Sequence, residues 1–279
     1  MKEDQLLPGR RSVFRIAACL GAAAFGGMLV GERAETPGRA PAAPAPAAGP
    51  QSAARPPQAA SYRLRPMTAY APPARQRATP PVRKQPILEV PARGRTMVLT
   101  FDDGPDPRYT PDVLGILRKH DVRAMFFVCG EMATAHRDLL REMAGDGHVV
   151  GNHTWSHPLI PKLSLSGIND ELGRTSEVIG EAVGEPPLWY RAPYGAWNRR
   201  SFEIGARLGM EPLGWTVDTL DWTTPGTGTI VRRVLKGAAP GVIVLSHDAG
   251  GNRSQSVAAL RRYLPKLLDK GYQITVPRR

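Results

Sequence analysis

Residues 97–105 read MVLTFDDGP, an apolar run that ends in two adjacent carboxylates and a Gly-Pro pair. The run 97–101 has the length and side-chain content of a short buried strand. Asp102 and Asp103 follow it directly, where two ionised carboxylates would repel each other unless a cation lay beside one of them. The same residues are compatible with a surface turn, so the rest of the chain must decide between a site and a turn.

The sequence after this run alternates short apolar runs with amphipathic segments. We predict strands at 97–101, 124–128, 148–150, 188–190, 213–217, 242–245 and 273–276, and helices at 110–120, 134–145, 164–184, 198–208, 229–237 and 254–270. Thr110 and Asn198 are the predicted caps of their helices. About seven strands alternating with about six helices are typical of a parallel α/β architecture. The strands are continuously apolar, as expected for a sheet that is covered on both faces. Periodicity alone does not separate a doubly wound sheet from a barrel.

Polar residues stand directly after five of the predicted strands. They are Asp102, His153, Arg191, Asp218 and His247. In parallel barrels the loops at the carboxyl ends of the strands build the active site. We therefore expect one domain with a single ring of site loops.

Two histidines, His153 and His157, are four residues apart. This spacing would place them on one face of a helical turn, where both can bind one ion. With a carboxylate they form a two-histidine, one-carboxylate set that leaves coordination positions free. Spacing alone leaves surface or hydrogen-bonding histidines as the alternative.

A further histidine, His247, is followed by Asp248. An acidic partner would keep this imidazole protonated at neutral pH, as a general acid requires. Asp218 and Asp221 are two more carboxylates after a predicted strand, and Arg191 offers a cation. Each of these fragments alone is weak evidence for a catalytic site.

Together, five motifs resemble those of one family in order and approximate spacing. They are TFDDGP at 100–105, HTWSH at 153–157, RAPY at 191–194, DTLDW at 218–222 and LSHD at 245–248. Over residues 95–276 the chain resembles the polysaccharide deacetylase family with the NodB homology domain, carbohydrate esterase family 4. The resemblance implies a deformed (β/α) barrel with a single catalytic domain, which we place at 93–279. It also implies a hydrolase that removes N-acetyl groups from peptidoglycan or chitin-type oligosaccharides and releases acetate.

The resemblance assigns roles to ten residues in three groups. The four for proton transfer are Asp102 as general base, Arg191 as its partner, His247 as general acid and Asp221 as the carboxylate that orients His247. The three for a metal, Zn2+ or another divalent ion such as Co2+ or Ni2+, are Asp103, His153 and His157. The three for substrate are Tyr194, through its backbone N–H at an oxyanion, and Trp222 and Leu245, as walls around the acetyl methyl group.

Two other functions remain open at this stage. The same site can attack an ester, which would make the protein an acetyl xylan esterase. A non-catalytic glycan-binding or wall-anchoring protein is the other alternative; it predicts loss of Asp102 or His247, and both are present.

Residues 1–30 are predicted to be a signal peptide or an N-terminal membrane anchor. Arg10, Arg11 and Arg15 precede an apolar run at 16–30, in the order of a signal peptide's charged and apolar regions. The run is shorter than the roughly 20 residues of a membrane-spanning helix. Residues 31–92 are rich in Pro, Ala and Arg and predict a disordered linker. We therefore expect an extracytoplasmic protein, secreted or anchored to the outer face of the cell membrane.

Charge is distributed unevenly along the chain. Residues 1–90 contain 13 Lys/Arg against 5 Asp/Glu, and residues 91–279 contain 24 against 20. The foldable part is nearly balanced and has no basic helix with interleaved aromatics, so we expect no nucleic-acid partner. The two cysteines, Cys19 and Cys129, make no disulfide framework, and Cys129 is expected in the core. We expect a monomer with a polysaccharide substrate.

Overall fold

A computed structural model of the protein describes residues 79–92 and 94–277, and its secondary structure alternates strand and helix. The strands are β1 Thr96–Asp102, β2 Met125–Val128, β3 Val149–Asn152, β4 Trp189–Tyr190, β5 Glu211–Pro212, β6 Val217–Asp218, β7 Ile243–His247 and β8 Gln273–Ile274. The α-helices are α1 Thr110–Lys119, α2 Gly130–Ala135, α3 Arg137–Gly145, α4 Leu165–Val183, α5 Arg199–Arg207, α6 Thr227–Gly237 and α7 Ser254–Asp269. Short 3-10 turns occupy Ile160–Lys162, Pro193–Gly195 and Asp221–Thr223.

Seven of the strands form one parallel sheet in the order β5-β4-β3-β2-β1-β7-β6, and β8 pairs with the start of β1. The sheet curls into a half-barrel with helices outside it, which confirms the predicted deformed barrel. β1 lies between β2 and β7, and its register sets Asp102 opposite His247 of β7. Parallel pairing thus brings the carboxyl ends of β1 and β7 to the same edge of the sheet.

Alternation along β1 separates two cores. Met97, Leu99 and Phe101 point outward into the large cluster between sheet and helices. Val98 points into the barrel interior, where it packs with residues of β2, β4 and β7. Because side chains alternate with a period of two, Asp102 points to the same side as Val98. The first acid of the pair therefore faces the interior of the barrel mouth.

Helix boundaries with local capping signals agree with the sequence. The Ser164 side chain accepts a hydrogen bond from Gly167 N–H at the start of α4, and Gly184 ends that helix in the left-handed conformation. Asn198 and Ser201 form a reciprocal capping box at the start of α5. Both sets of bonds satisfy backbone groups that a helix end leaves free.

Three predicted elements were wrong in detail. Residues 213–217 form no single strand, because the carbonyl groups of Leu213 and Gly214 accept hydrogen bonds from the Arg191 side chain instead of from a neighbouring strand. The predicted helix at 134–145 is divided into α2 and α3 at His136, which has φ −134° and ψ 53°. Thr110 is not the cap of α1; that position is Tyr109, and the Thr110 hydroxyl instead bonds to Asp248 at 2.5 Å.

The predicted linker extends too far toward the barrel. Ile87 N–H donates to Pro212 O at 2.8 Å, and Val90 N–H donates to Gly241 O at 2.9 Å. Both side chains join the barrel-interior cluster. Residues 79–92 therefore belong to the folded domain. Cys19, the predicted signal peptide or anchor at 1–30 and the rest of the predicted linker lie outside the described residues.

Within 79–92 and 94–277, no helix has both the length and the apolar character needed to cross a membrane. Cys129 is buried, as expected.

Candidate active site

A cavity of about 430 Å³ opens at the carboxyl ends of the strands. Eight of the ten predicted site residues line it: Asp102, Asp103, His153, His157, Tyr194, Trp222, Leu245 and His247. The other two, Arg191 and Asp221, are buried and bond directly to lining residues. The structure thus brings all ten together.

Asp103, His153 and His157 form a cluster whose ligand atoms all lie within 4.8 Å of one another. Asp103 Oδ1 is 3.5 Å from His153 Nε2 and 3.3 Å from His157 Nε2. This buried oxygen makes no hydrogen bond within the described part of the chain. Burial acts to raise the pKa of Asp103, but the nearby His153 outweighs it and brings the pKa to about 2. An unpaired, ionised oxygen facing two imidazole nitrogens fits a divalent transition metal.

The orientation of His153 also suits a metal ligand. Its Nδ1 lies 2.8 Å from Arg191 O. A carbonyl oxygen only accepts, so Nδ1 carries a proton, and Nε2 is the ring nitrogen that faces Asp103. Metal-binding histidines are commonly held by such a second hydrogen bond.

The His153–His157 pair does not lie on a helical turn, so that part of the prediction was wrong. Thr154 and His157 have positive φ values of 71° and 58°, and the segment is a loop. Glu171 of α4 holds this loop by accepting hydrogen bonds from Trp155 N–H at 2.7 Å and Ser156 N–H at 2.9 Å. Glu171 was not predicted, because nothing in its helical sequence context indicates this contact.

Asp102 is paired with a fully buried arginine. Arg191 Nη1 donates to Asp102 Oδ1 at 2.7 Å and to Thr100 Oγ1 at 2.8 Å. The other guanidinium contacts are Nε to Leu213 O at 3.0 Å and Nη2 to Gly214 O at 2.8 Å. Burial lowers the pKa of Arg191, and the Asp102 charge opposes that change. The further hydrogen bonds of Arg191 offset part of the cost of burying this charge pair.

His247 is paired with Asp221. Its ring Nδ1 lies 2.7 Å from Asp221 Oδ1. The backbone N–H of His247 donates to Asp221 Oδ2 at 2.9 Å. Ser256 also donates to Oδ2, at 2.6 Å. Burial acts to lower the pKa of His247, but the hydrogen bond and charge of Asp221 outweigh it and raise the pKa to about 9. The imidazole is therefore protonated at neutral pH.

Asp248 is not the acidic partner of His247, contrary to what its place in the sequence indicated. Asp248 follows the last residue of β7, and its side chain is fully buried, where it accepts a hydrogen bond from Thr110 Oγ1. Burial raises its pKa to about 7. Asp218 lines the cavity, and its Oδ1 accepts from Leu220 N–H at 2.8 Å.

The substrate-facing residues frame the cavity mouth. Tyr194 is 68% exposed and Trp222 is 56% exposed, whereas Leu245 is buried at the base. The Tyr194 ring packs edge-on to His157 with centroids 4.7 Å apart.

Several site residues have backbone conformations that non-glycine residues rarely adopt. Asp103, His157, Tyr194 and Leu220 have φ values of 74°, 58°, 60° and 48°. Each such residue costs on the order of 1 kcal/mol. Their concentration around one cavity indicates that the loops are shaped for the site at the expense of local stability.

A curled parallel sheet with a buried acid–base pair and a two-histidine, one-carboxylate cluster defines the class of protein. Residues 89–213 match the family described as polysaccharide deacetylase. A chitooligosaccharide deacetylase from Rhizobium leguminosarum bv. trifolii is 36% identical over 200 residues, which cover 68% of this chain and 93% of that protein. A peptidoglycan-N-acetylglucosamine deacetylase from Bacillus cereus is 36% identical over 183 residues, covering 65% and 66%.

Among solved structures, a family 4 carbohydrate esterase from Streptomyces lividans, in complex with acetate, superposes with a TM-score of 0.62 at 32% identity. The match covers 66% of this chain and 93% of that chain. The chain belongs to the polysaccharide deacetylase family, as its motifs predicted.

Proposed function

We propose that this protein is a metal-dependent hydrolase that removes N-acetyl groups from an amino-sugar polysaccharide and releases acetate. One observation carries the proposal. A single cavity holds Asp102 beside a buried arginine and His247 beside a buried carboxylate. General acid–base hydrolysis of an amide needs an ionised base and a protonated acid at the same pH, and these partners favour those two states.

Asp103, His153 and His157 would hold the metal, for which we propose zinc, with cobalt or nickel as alternatives. When bound, such an ion polarises a carbonyl and lowers the pKa of a coordinated water.

In the proposed reaction, a water oxygen attacks the acetamide carbon and gives a proton to Asp102. Arg191 donates a hydrogen bond to Asp102 Oδ1 and places its positive charge beside that carboxylate. The backbone N–H of Tyr194 donates to the developing oxyanion, while Trp222 and Leu245 contact the acetyl methyl group. His247 then protonates the departing nitrogen, the C–N bond breaks, and acetate and a free amine remain.

For the substrate we propose peptidoglycan ahead of chitin oligosaccharides. Two relatives support this choice, one a chitooligosaccharide deacetylase and the other a peptidoglycan-N-acetylglucosamine deacetylase. The exposed rings of Tyr194 and Trp222 at the cavity mouth also suit a sugar chain that lies across it. The basic and apolar residues 10–30 support export, which would place the enzyme near the cell envelope.

Acetate release by the full chain from peptidoglycan, chitin oligomers and acetylated xylan, with and without a chelator, tests this function. We expect release from the N-acetylated glycans, loss of release with chelator and recovery with added zinc. Release from xylan alone would establish the esterase instead. Glycan binding without acetate release from any substrate would support the non-catalytic alternative.

A further inference from the structure

Residues 83–90, called the closing segment below, cross the open side of the half-barrel. β5 and β6 are the two edges of the sheet. The segment bridges in parallel to Leu213 after β5 and in antiparallel fashion to Val242 before β7. Arg83 anchors its beginning through an ion pair with Glu211 of β5. The segment thus occupies the gap that the strands leave.

Main-chain hydrogen bonds of Ile87 bracket Leu213. Ile87 N–H donates to Pro212 O, and Gly214 N–H donates to Ile87 O, both at 2.8 Å. Leu213 lies between these bonds, and its own N–H donates to Tyr190 O at 3.0 Å. The peptide groups around Leu213 and Gly214 are therefore held by hydrogen bonds to β4 on one side and to the closing segment on the other.

The carbonyl groups of the same two residues hold Arg191. Leu213 O accepts from Nε and Gly214 O accepts from Nη2. The third guanidinium nitrogen, Nη1, is the one that contacts Asp102. Because the guanidinium is planar and rigid, fixing two nitrogens sets the direction of the third.

Packing shows the same close fit. A Cβ at Gly214 would lie 2.7 Å from Leu88 Cδ2 and 3.4 Å from Pro86 Cγ, so side chains of the segment lie close against the Gly214 main chain. Ile87 and Val90 pack in the barrel interior with Leu213 and Trp215. The guanidinium carbon of Arg191 lies 5.5 Å from the Trp215 ring centroid.

We propose that the closing segment is a positioning element of the active site, which holds the carbonyls of Leu213 and Gly214 so that Arg191 stays on Asp102. The expected effect of the closing segment on deacetylation rests on the proposed function. The structural part of the proposal, the fixing of Arg191, is independent of catalysis.

The test compares Ile87→Pro with Ile87→Ala in the full chain. Ile87→Pro removes the N–H that bonds to Pro212, whereas Ile87→Ala removes side-chain packing and keeps both main-chain bonds. The first readout is hydrogen exchange of the Arg191 Nε–H by NMR, assigned by its absence in Arg191→Lys. The second is kcat and KM for deacetylation, and circular dichroism and the Tm report folding.

We expect Ile87→Pro to accelerate Nε–H exchange and to lower kcat by about tenfold to a hundredfold with KM nearly unchanged, since small misplacements cost that much. Ile87→Ala should lower the Tm but keep kcat and exchange close to wild type. If Ile87→Pro does not fold, Arg83→Gln is compared with Lys84→Gln, and only Arg83→Gln should show both effects, in weaker form.

Folded Ile87→Pro with wild-type exchange or wild-type kcat would overturn the proposal, as would equal effects of Ile87→Pro and Ile87→Ala. In the alternative pair, equal behaviour of Arg83→Gln and Lys84→Gln would do the same. Absence of deacetylation in the wild type would refute the proposed function, while the exchange measurement would still decide whether the closing segment holds Arg191.

Discussion

At the residue scale, two adjacent carboxylates have opposite surroundings. Asp102 ends β1 in extended conformation and bonds to Arg191. Asp103 has φ 74°, which turns it toward His153 and His157. The sequence motif identified both residues, but their separation depends on one left-handed backbone position that a non-glycine residue seldom adopts.

The pairing of His247 with Asp221 makes a testable prediction on pH. His247 must be protonated to donate, so activity is lost as pH rises through its pKa, which lies at about 9. Asp221→Asn removes the charge that raises this pKa while burial still lowers it. The alkaline limb of kcat/KM should therefore move to lower pH by more than about one unit.

Asp248→Asn is the matched control, because Asp248 is equally buried and its contact is with Thr110. A full pH–rate profile for each variant makes the comparison. An alkaline limb that stays in place in Asp221→Asn, or moves as far in Asp248→Asn, would contradict the assignment of His247 as the acid.

At the element scale, the sequence was most informative where structure depends on local bonds. Asn198 caps its helix as predicted, since this cap requires only residues within one turn. Thr110 does not cap α1 as predicted, because its hydroxyl bonds to Asp248, 138 residues away. Residues 213–217 were predicted wrongly because their carbonyls bond to a side chain 22 residues away. The closing segment was missed for the same reason, since the Arg83–Glu211 contact spans 128 residues.

Glycine-to-alanine substitutions at two helix positions distinguish the effect of helix propensity on stability from the effect of packing. Replacing glycine by alanine inside a helix favours the helix by about 1 kcal/mol. Around Gly173 in α4 no atom lies within 4 Å of a Cβ, whereas at Gly205 in α5 a Cβ would come within 2.4 Å of the Tyr190 ring. We expect Gly173→Ala to raise the free energy of unfolding by up to about 1 kcal/mol.

Gly205→Ala should instead lower it by about 1–3 kcal/mol, because overpacking a filled interior outweighs the propensity gain. Urea unfolding of both variants measures the difference. Equal stabilisation by the two substitutions would show that α5 does not pack closely on β4.

At the scale of the whole molecule, the barrel carries its site at one end and a buried histidine toward the other. His148 precedes β3, and its Nδ1 accepts from Ala124 N–H at 3.1 Å. That bond requires the neutral ring, and burial lowers the pKa of His148 to about 4.

Stability should therefore depend on pH in a defined window. The folded-state pKa lies below the ordinary value of about 6.5, so the unfolded chain binds more protons between about pH 6.5 and 4. The contribution of His148 is complete above that window and is lost as pH falls through it, by up to about 3 kcal/mol. His148→Phe should flatten this part of the profile in urea unfolding, and an unchanged slope would rule out the effect.

The central claim is that Asp103 binds a metal and Asp102 acts as the base. Zinc content and acetate release measured on the same samples of wild type, Asp102→Asn and Asp103→Ala test it most directly. Asp102→Asn should keep zinc and lose turnover by about 10²–10⁴-fold, whereas Asp103→Ala should lose zinc affinity. Zinc loss in Asp102→Asn together with zinc retention in Asp103→Ala would contradict the claim.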